Sequence, residues 1–254
     1  MDLLHLLLLA VIGVVGGVLS GLVGVGGGII FVPGLIFAGG WTIQEAVAAS
    51  LVIIVFSSLS GTIRNARSED PVDWRMAGLL SLVVAPSSLI GVAISRVSPE
   101  TVVEVVFSLL LLALAYPTSR WGGSAVGGSG KKLPLPITII AGIFVGALSG
   151  LVGVGGGVML VPLLVLGFGL GVKTAVSTSL AVVLFTSFVG ATGYILTGFS
   201  DVLSLPPLVI GAIVGAWLGV RIRDPLPEDK LRIGFAIFMV IVALRIMGQA
   251  VGVF

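Results

Sequence analysis

Nine residues, Ser20-Gly-Leu-Val-Gly-Val-Gly-Gly-Gly28, recur unchanged as Ser149 to Gly157. The offset is 149 − 20 = 129. The same offset pairs Pro33 with Pro162, Ala46-Val47 with Ala175-Val176, and Ser50-Leu51 with Ser179-Leu180. It also pairs Ser58 with Ser187 and Gly61 with Gly190. Further on the frame slips to 128, where Gly91 meets Gly219, Pro99-Glu100 meets Pro227-Glu228, and Phe107 meets Phe235. A chance identity embedded in so long a frame is not credible. The chain is two copies of one unit, and any fold must suit both copies. The reading is a first repeat over 1–120, a Gly/Ser-rich flexible linker over 121–132, and a second repeat over 133–254.

Composition says what solvent those repeats meet. Hydrophobic residues make up 57% of the chain and charged ones only 9%, against about 25% charged in an ordinary soluble domain. Mean hydropathy is +1.26. A soluble chain of this length needs more polar surface than that, so the expected solvent is lipid. The 38 glycines fit, because glycine is frequent in membrane helices. The absence of cysteine excludes disulfides and thiolate chemistry. The single histidine, His5, reads as an interfacial residue, since a metal site needs several converging ligands. No metal and no cofactor are expected. The net charge of +2 reads as membrane topology, not nucleic-acid binding. No cleavable signal peptide is expected, because the apolar stretch runs on into the glycine motif.

Each repeat holds five apolar segments, at roughly 3–23, 28–39, 45–66, 74–95 and 100–120, then 135–152, 157–170, 174–197, 204–222 and 229–250. About 20 residues cross a bilayer as a helix. The third to fifth segments of each half meet that length. The second has about a dozen residues and starts in the glycine run, so it reads as half of a re-entrant hairpin or a broken helix. If the first two segments return to one side, each half crosses three times and the second half is inverted. That places 11 of the 13 Lys and Arg on one face, with Arg96 and Arg245 as exceptions. The positive-inside rule makes that face cytoplasmic and puts both termini outside. Two full spans per hairpin give the same parity. The expected fold class is therefore an all-α integral membrane protein of two inverted-topology repeats.

Inverted repeats with interrupted helices point to a transporter's binding site. Candidate substrate-binding residues are Gly24, Val25, Gly26, Gly27 and Gly28, with Gly153, Val154, Gly155, Gly156 and Gly157. Glycine permits close backbone approach. Loop N–H groups and a helix start favour an anion. The competing reading is that these glycines only let helices pack closely. Ser50, Ser57 and Gly61 share one helical face, repeated by Ser179, Thr186 and Gly190. Ser50, Ser57, Ser179 and Thr186 join the candidate site, with helix packing as the alternative. Glu45, Glu104 and Lys173 lie near segment ends, where snorkelling accounts for them. A GK[ST] phosphate loop is absent, which leaves ATP-driven transport unsupported. No nucleophile–base pair is visible, so an enzyme is not expected.

The duplicated SGLVGVGGG with its following proline, and the A-V-x-x-S-L of both halves, resemble the TauE/SafE sulfite exporter family, also called TSUP transporters. The resemblance covers essentially the whole chain. It implies a bacterial inner-membrane or archaeal cell-membrane carrier of small sulfur-containing anions, such as sulfite or organosulfonates. It also implies a site made of the two glycine loops with polar residues of the third segments. The expected partners are the lipid bilayer and a small anionic substrate, with no nucleic acid. The coupling ion, proton or sodium, is not legible. A passive anion channel and a carrier of a different small solute stay open as alternatives, the channel because paired re-entrant hairpins also build pores.

Overall fold

The computed structural model describes residues 3–66, 71–120, 134–199, 205–223 and 228–251. The linker expected at 121–132 lies outside them, as do Arg67, Lys131 and Lys132, and the His5 side chain is outside the described set too. All regular structure among the described residues is helical. The first half holds α1 (Leu3–Val23), α2 (Gly28–Gly39), α3 (Ile43–Asn65), α4 (Trp74–Val97) and α5 (Glu100–Arg120). The second holds α6 (Leu135–Val152), α7 (Gly157–Pro162), α8 (Val172–Leu196), α9 (Pro206–Arg223) and α10 (Glu228–Ala250).

The boundaries follow local chemistry. Thr42 and Glu45 form a reciprocal capping box at the start of α3. There Thr42 N–H donates to Glu45 Oε2 at 3.0 Å, and the Glu45 side chain is exposed. Asp73 caps α4 by accepting from Met76 N–H at 3.0 Å. By length and composition α3, α4 and α8 are able to cross a membrane. The second segment of each half is short, as its length in sequence requires: α2 has 12 residues. In the other half α7 has 6 residues before the backbone widens into a π-helical turn, Leu163–Gly167. Both short helices carry an internal proline, Pro33 and Pro162, which lacks the N–H of a regular helical bond. Only the second widens at it.

Packing joins the halves. α1 lies on α9 and α6 on α4; α3 packs on α8 and α5 on α10; α3 also meets α9, and α8 meets α4. Exchanging the two halves turns this set of pairings into itself. Glycines allow the tightest of them: a methyl group on Gly17 would strike the Ala212 carbonyl across the α1–α9 contact. One on Gly146 would strike the Val84 carbonyl across α6–α4. Such small-residue seams replace the hydrophobic effect as the adhesive between helices in lipid. α3 and α8 run antiparallel. Gly61, late in α3, faces Leu180, early in α8, while Gly190, late in α8, faces Leu51, early in α3.

The two third helices form the buried centre, with Leu51, Ile53, Ile54, Leu180, Val182 and Val183 all inaccessible. The outside is apolar as well. Leu82 is 75% exposed, Leu196 82% and Ile140 67%, a surface that suits lipid and not water. Among the described residues charged groups keep to the helix ends, and one of them is buried. Glu104, read as a snorkelling residue, is buried one turn into α5.

Candidate binding site at two interlocked glycine loops

Each glycine run forms a loop of three left-handed residues leading into a short helix. Gly24, Gly26 and Gly27 have φ of 75°, 84° and 84°; Gly153, Gly155 and Gly156 have 73°, 76° and 81°. Residues with a Cβ rarely adopt these angles. This conformation turns successive N–H groups out of the helical ladder. In the first loop Gly24 N–H still donates to Ser20 O, and bonding resumes with Ile30 N–H to Gly27 O. In the second, Gly153 N–H donates to Ser149 O and bonding resumes with Met159 N–H to Gly156 O. The N–H groups between, Val25 to Gly28 and Val154 to Gly157, meet no backbone acceptor among the described residues. Clustered N–H donors of this kind favour an anion.

The loops touch each other. A methyl group on Gly28 would lie 2.5 Å from the Gly153 carbonyl oxygen and 2.6 Å from Val154 Cα. On Gly157 it would lie 2.5 Å from Gly24 O and 2.7 Å from Val25 Cα. Ile54 and Val183, equivalent residues of α3 and α8, flank both loops. Val183 Cγ1 would stand 2.8 Å from a methyl on Gly26 and 3.0 Å from one on Gly155. Ile54 Cγ2 would stand 3.1 and 3.2 Å from the same two. The whole of Gly24–Gly28 and Gly153–Gly157 is buried.

Hydroxyls of the third helices fasten the loops across the halves. Ser50 Oγ donates to Gly153 O at 2.7 Å, and Ser179 Oγ donates to Gly24 O at 3.0 Å. Each carbonyl so held belongs to the other repeat. Ser57 Oγ lies 3.4 Å from Gly26 O and 3.2 Å from Ile54 O. Thr186 donates back along its own helix, to Val182 O at 2.9 Å. The structure thus brings the loops together with Ser50, Ser57 and Ser179. It leaves Thr186 buried beside them with its hydroxyl bonded to its own helix. Thr178, one residue from Ser179, accepts from Asp73 N–H at 3.0 Å and ties the start of α4 to α8.

Sequence reasoning passed over several polar groups. Ser20, Ser149 and Ser187 have buried hydroxyls without a hydrogen-bond partner among the described residues. The signal for Ser187 was present, since it aligns with Ser58, but the alignment does not say which hydroxyl is engaged. Gln44 donates to Ser95 O and Ser98 O, both at 3.0 Å, at the end of α4. Arg96, read only as an exception to the charge rule, bonds Tyr194 O at 3.1 Å and Thr197 Oγ1 at 3.0 Å at the end of α8. Its guanidinium lies 5.3 Å from the Tyr194 ring centroid. Arg245, the other exception, is exposed and stands over Phe37 at 5.5 Å. At the opposite end Arg64 and Arg221, one from each repeat, face the ring of Trp217 at 4.6 and 5.8 Å.

An all-helical chain with a lipid-suited exterior, and paired broken helices at its centre, is the architecture of a multi-pass membrane transporter. Residues 9–246 match the family model described as sulfite exporter TauE/SafE, and the chain belongs to that family. Its relatives carry the name probable membrane transporter protein. YunE of Bacillus subtilis is 27% identical over 96% of this chain and 98% of its own length. One from Methanocaldococcus jannaschii is 28% identical over 91% of each chain. One from Haemophilus influenzae is 27% identical over 94% of this chain and 97% of its own. No solved structure matches.

Proposed function

We propose that the chain is a secondary transporter of small sulfur-containing anions, sulfite or organosulfonates such as sulfoacetate. The anion binds between the two repeats, near the midplane of a bacterial or archaeal plasma membrane, and is released by alternating access. One observation carries the reading. Two loops of Gly24–Gly28 and Gly153–Gly157 meet at the buried centre, and their N–H groups from Val25 to Gly28 and from Val154 to Gly157 meet no backbone acceptor among the described residues. An anion is the ligand such donors suit. In this reading Ser50, Ser57, Ser179 and Thr186 form the surrounding wall, and Ser50, Ser57 and Ser179 hold the loop carbonyls turned away from the ligand.

The inverted-repeat topology belongs to the same proposal. The antiparallel course of α3 and α8 supports it. So does the meeting of Arg64 and Arg221 at Trp217, because basic groups of both halves then share one end. That end is cytoplasmic by the positive-inside rule, and both termini are outside. Alternating access follows if the contacts at the two ends, Arg96 with Tyr194 and Arg64 with Trp217, open in turn.

The test is thermal unfolding of the purified protein with sulfite, thiosulfate, sulfoacetate, taurine, sulfate and chloride at matched ionic strength. A ligand at 100 times its dissociation constant adds about 2.7 kcal/mol to the native state. Selective stabilisation by a sulfur anion, with saturable counterflow of that anion in proteoliposomes, is the expected result. Absence of any response removes the anion reading and leaves the fold intact. Flux that does not saturate replaces the carrier with a pore.

A further inference from the structure

The duplicated loops suggest a symmetric site, but the hydroxyls beside them are not used symmetrically. Ser58 and Ser187 are equivalent positions on α3 and α8, and both are fully buried. Ser58 Oγ donates to Ile54 O at 2.5 Å, one turn back on its own helix. That is the usual state of a serine inside a helix. Thr186, the neighbour of Ser187, behaves the same way. Ser187 does not: its hydroxyl has no partner among the described residues. It is turned to the second loop, where its Oγ lies 3.0 Å from the position a Gly155 Cβ would take. Ser149 Oγ, buried and unpartnered among the described residues as its counterpart Ser20 is, lies 3.7 Å from the corresponding point on Gly156. At Gly26, the equivalent of Gly155, the nearest atoms are Val183 Cγ1, Ile54 Cγ2 and the Val154 carbonyl oxygen.

A buried hydroxyl without a partner destabilises a protein unless something else accepts its proton. A polyatomic oxyanion at the loop supplies that acceptor. One oxygen takes the Ser187 O–H while the others face the free N–H groups of the loop. A hydroxyl could instead have bonded the Val183 carbonyl, as Ser58 bonds Ile54, so its outward rotamer singles out the loop side.

We infer that Ser187 is a substrate-ligating residue and that the oxyanion sits against the second loop, at Gly155 and Gly156, so that the binding site is one-sided within a duplicated frame. This rests on the anion-carrier reading above, and it assigns that site a donor which its first-half counterpart does not supply.

The experiment compares Ser187→Ala and Ser58→Ala in the purified full chain, titrating sodium sulfite and sodium sulfoacetate against sodium chloride at constant ionic strength, with melting temperature as readout. Loss of one hydrogen bond to a charged ligand raises the dissociation constant about tenfold or more. Ser187→Ala is expected to show that loss while its unliganded melting temperature stays at or above wild type. Ser58→Ala is expected to bind within about twofold of wild type. Binding by Ser187→Ala as tight as wild type overturns the inference while leaving the carrier reading in place. So does an equal loss in both variants. A drop in the unliganded melting temperature of Ser187→Ala assigns the hydroxyl to folding and overturns it too. A wild-type protein that answers to no anion ends the carrier reading, and the inference with it.

Discussion

The same nine residues build two loops of matching backbone, yet the two halves of the molecule hold them differently. The φ angles of the first loop's positive-φ glycines recur in the second within 10°. Around them, α2 runs as an unbroken helix past Pro33, whereas the second-half segment gives way to a π-helical turn after Pro162. Ser50 makes one short bond to the opposite loop, whereas Ser179 lies between Gly24 O at 3.0 Å and Gly157 O at 3.5 Å. One end of the bundle closes on Arg96 and the other on the Arg64–Trp217–Arg221 group. Duplication fixes the frame that both repeats must share. In the proposed carrier the copies must diverge, because it opens to unlike solutions on its two sides.

The frame itself is the most sensitive part. Gly28→Ala and Gly157→Ala each push a methyl group into the backbone of the opposite loop, at 2.5 Å from a carbonyl oxygen in both cases. Backbone cannot step aside as a side-chain tip can. Overpacking of this kind costs about 3 kcal/mol or more when nothing flexible yields. Both variants should therefore lose transport and melt well below wild type in detergent, by similar amounts. A large difference between them would show that the loops are not held equivalently even at their crossing.

The carbonyl fasteners come next. Ser50→Ala strands Gly153 O, and Ser179→Ala strands Gly24 O, both in a buried setting. Leaving a buried acceptor unsatisfied in this way costs about 1–3 kcal/mol. Ser50→Ala should be the worse of the two, because its bond is shorter and goes to a single acceptor. Thermal unfolding of the pair measures this, and the reverse order would contradict the geometry.

How much of this was legible differs by level. The repeat frame, the ten segments and the shortness of the second segment of each half follow from spacing and length, and the described helices agree with them closely. The loops' role as a meeting point was legible too, since runs such as Gly24 to Gly28 make sense only where backbones reverse and approach. Which partner each hydroxyl takes was not. Ser50, Ser58, Ser179 and Ser187 are the same residue type on equivalent faces, and their bonds depend on a rotamer and a crossing distance of tenths of an ångström. Arg96 shows another limit. Its topological oddity was visible, but its partner Tyr194 is 98 positions away and is brought to it only by the packing of α4 on α8. The pairing of α1 with α9 had a signal in the four-residue spacing of Gly13, Gly17 and Gly21 against Gly211, Gly215 and Gly219.

The two ends supply a smaller contrast. Arg96→Ala removes a bond to a terminal carbonyl of α8, a bond to Thr197 and the contact with the Tyr194 ring. Arg64→Ala removes a cation–π contact with Trp217, to which Arg221 still points. The first should cost about 1–2 kcal/mol, because a cation at a helix C-terminus also meets the helix dipole. The second should cost about 0.5–1 kcal/mol, the range for an exposed cation–π pair. Accessibility labelling of cysteines placed at each end would then show the Arg96 end opening more readily in Arg96→Ala. Equal labelling at both ends in that variant would separate Arg96 from closure altogether.

The smallest effect isolates the hydroxyls themselves. In the unliganded protein Ser58→Ala deletes a donor whose acceptor, Ile54 O, belongs to a continuous helix. That carbonyl can still bond its own helix, so the loss is about 0.5 kcal/mol or less. Ser187→Ala deletes a donor with nothing to lose and relieves a buried unpaired group. It should raise the melting temperature slightly or leave it unchanged. Opposite signs at two aligned serines, with no ligand present, would show that the asymmetry is built into the resting fold and not created by substrate. Matching losses would mean that Ser187 is bonded in solution as Ser58 is, and the two halves would then be alike at this position.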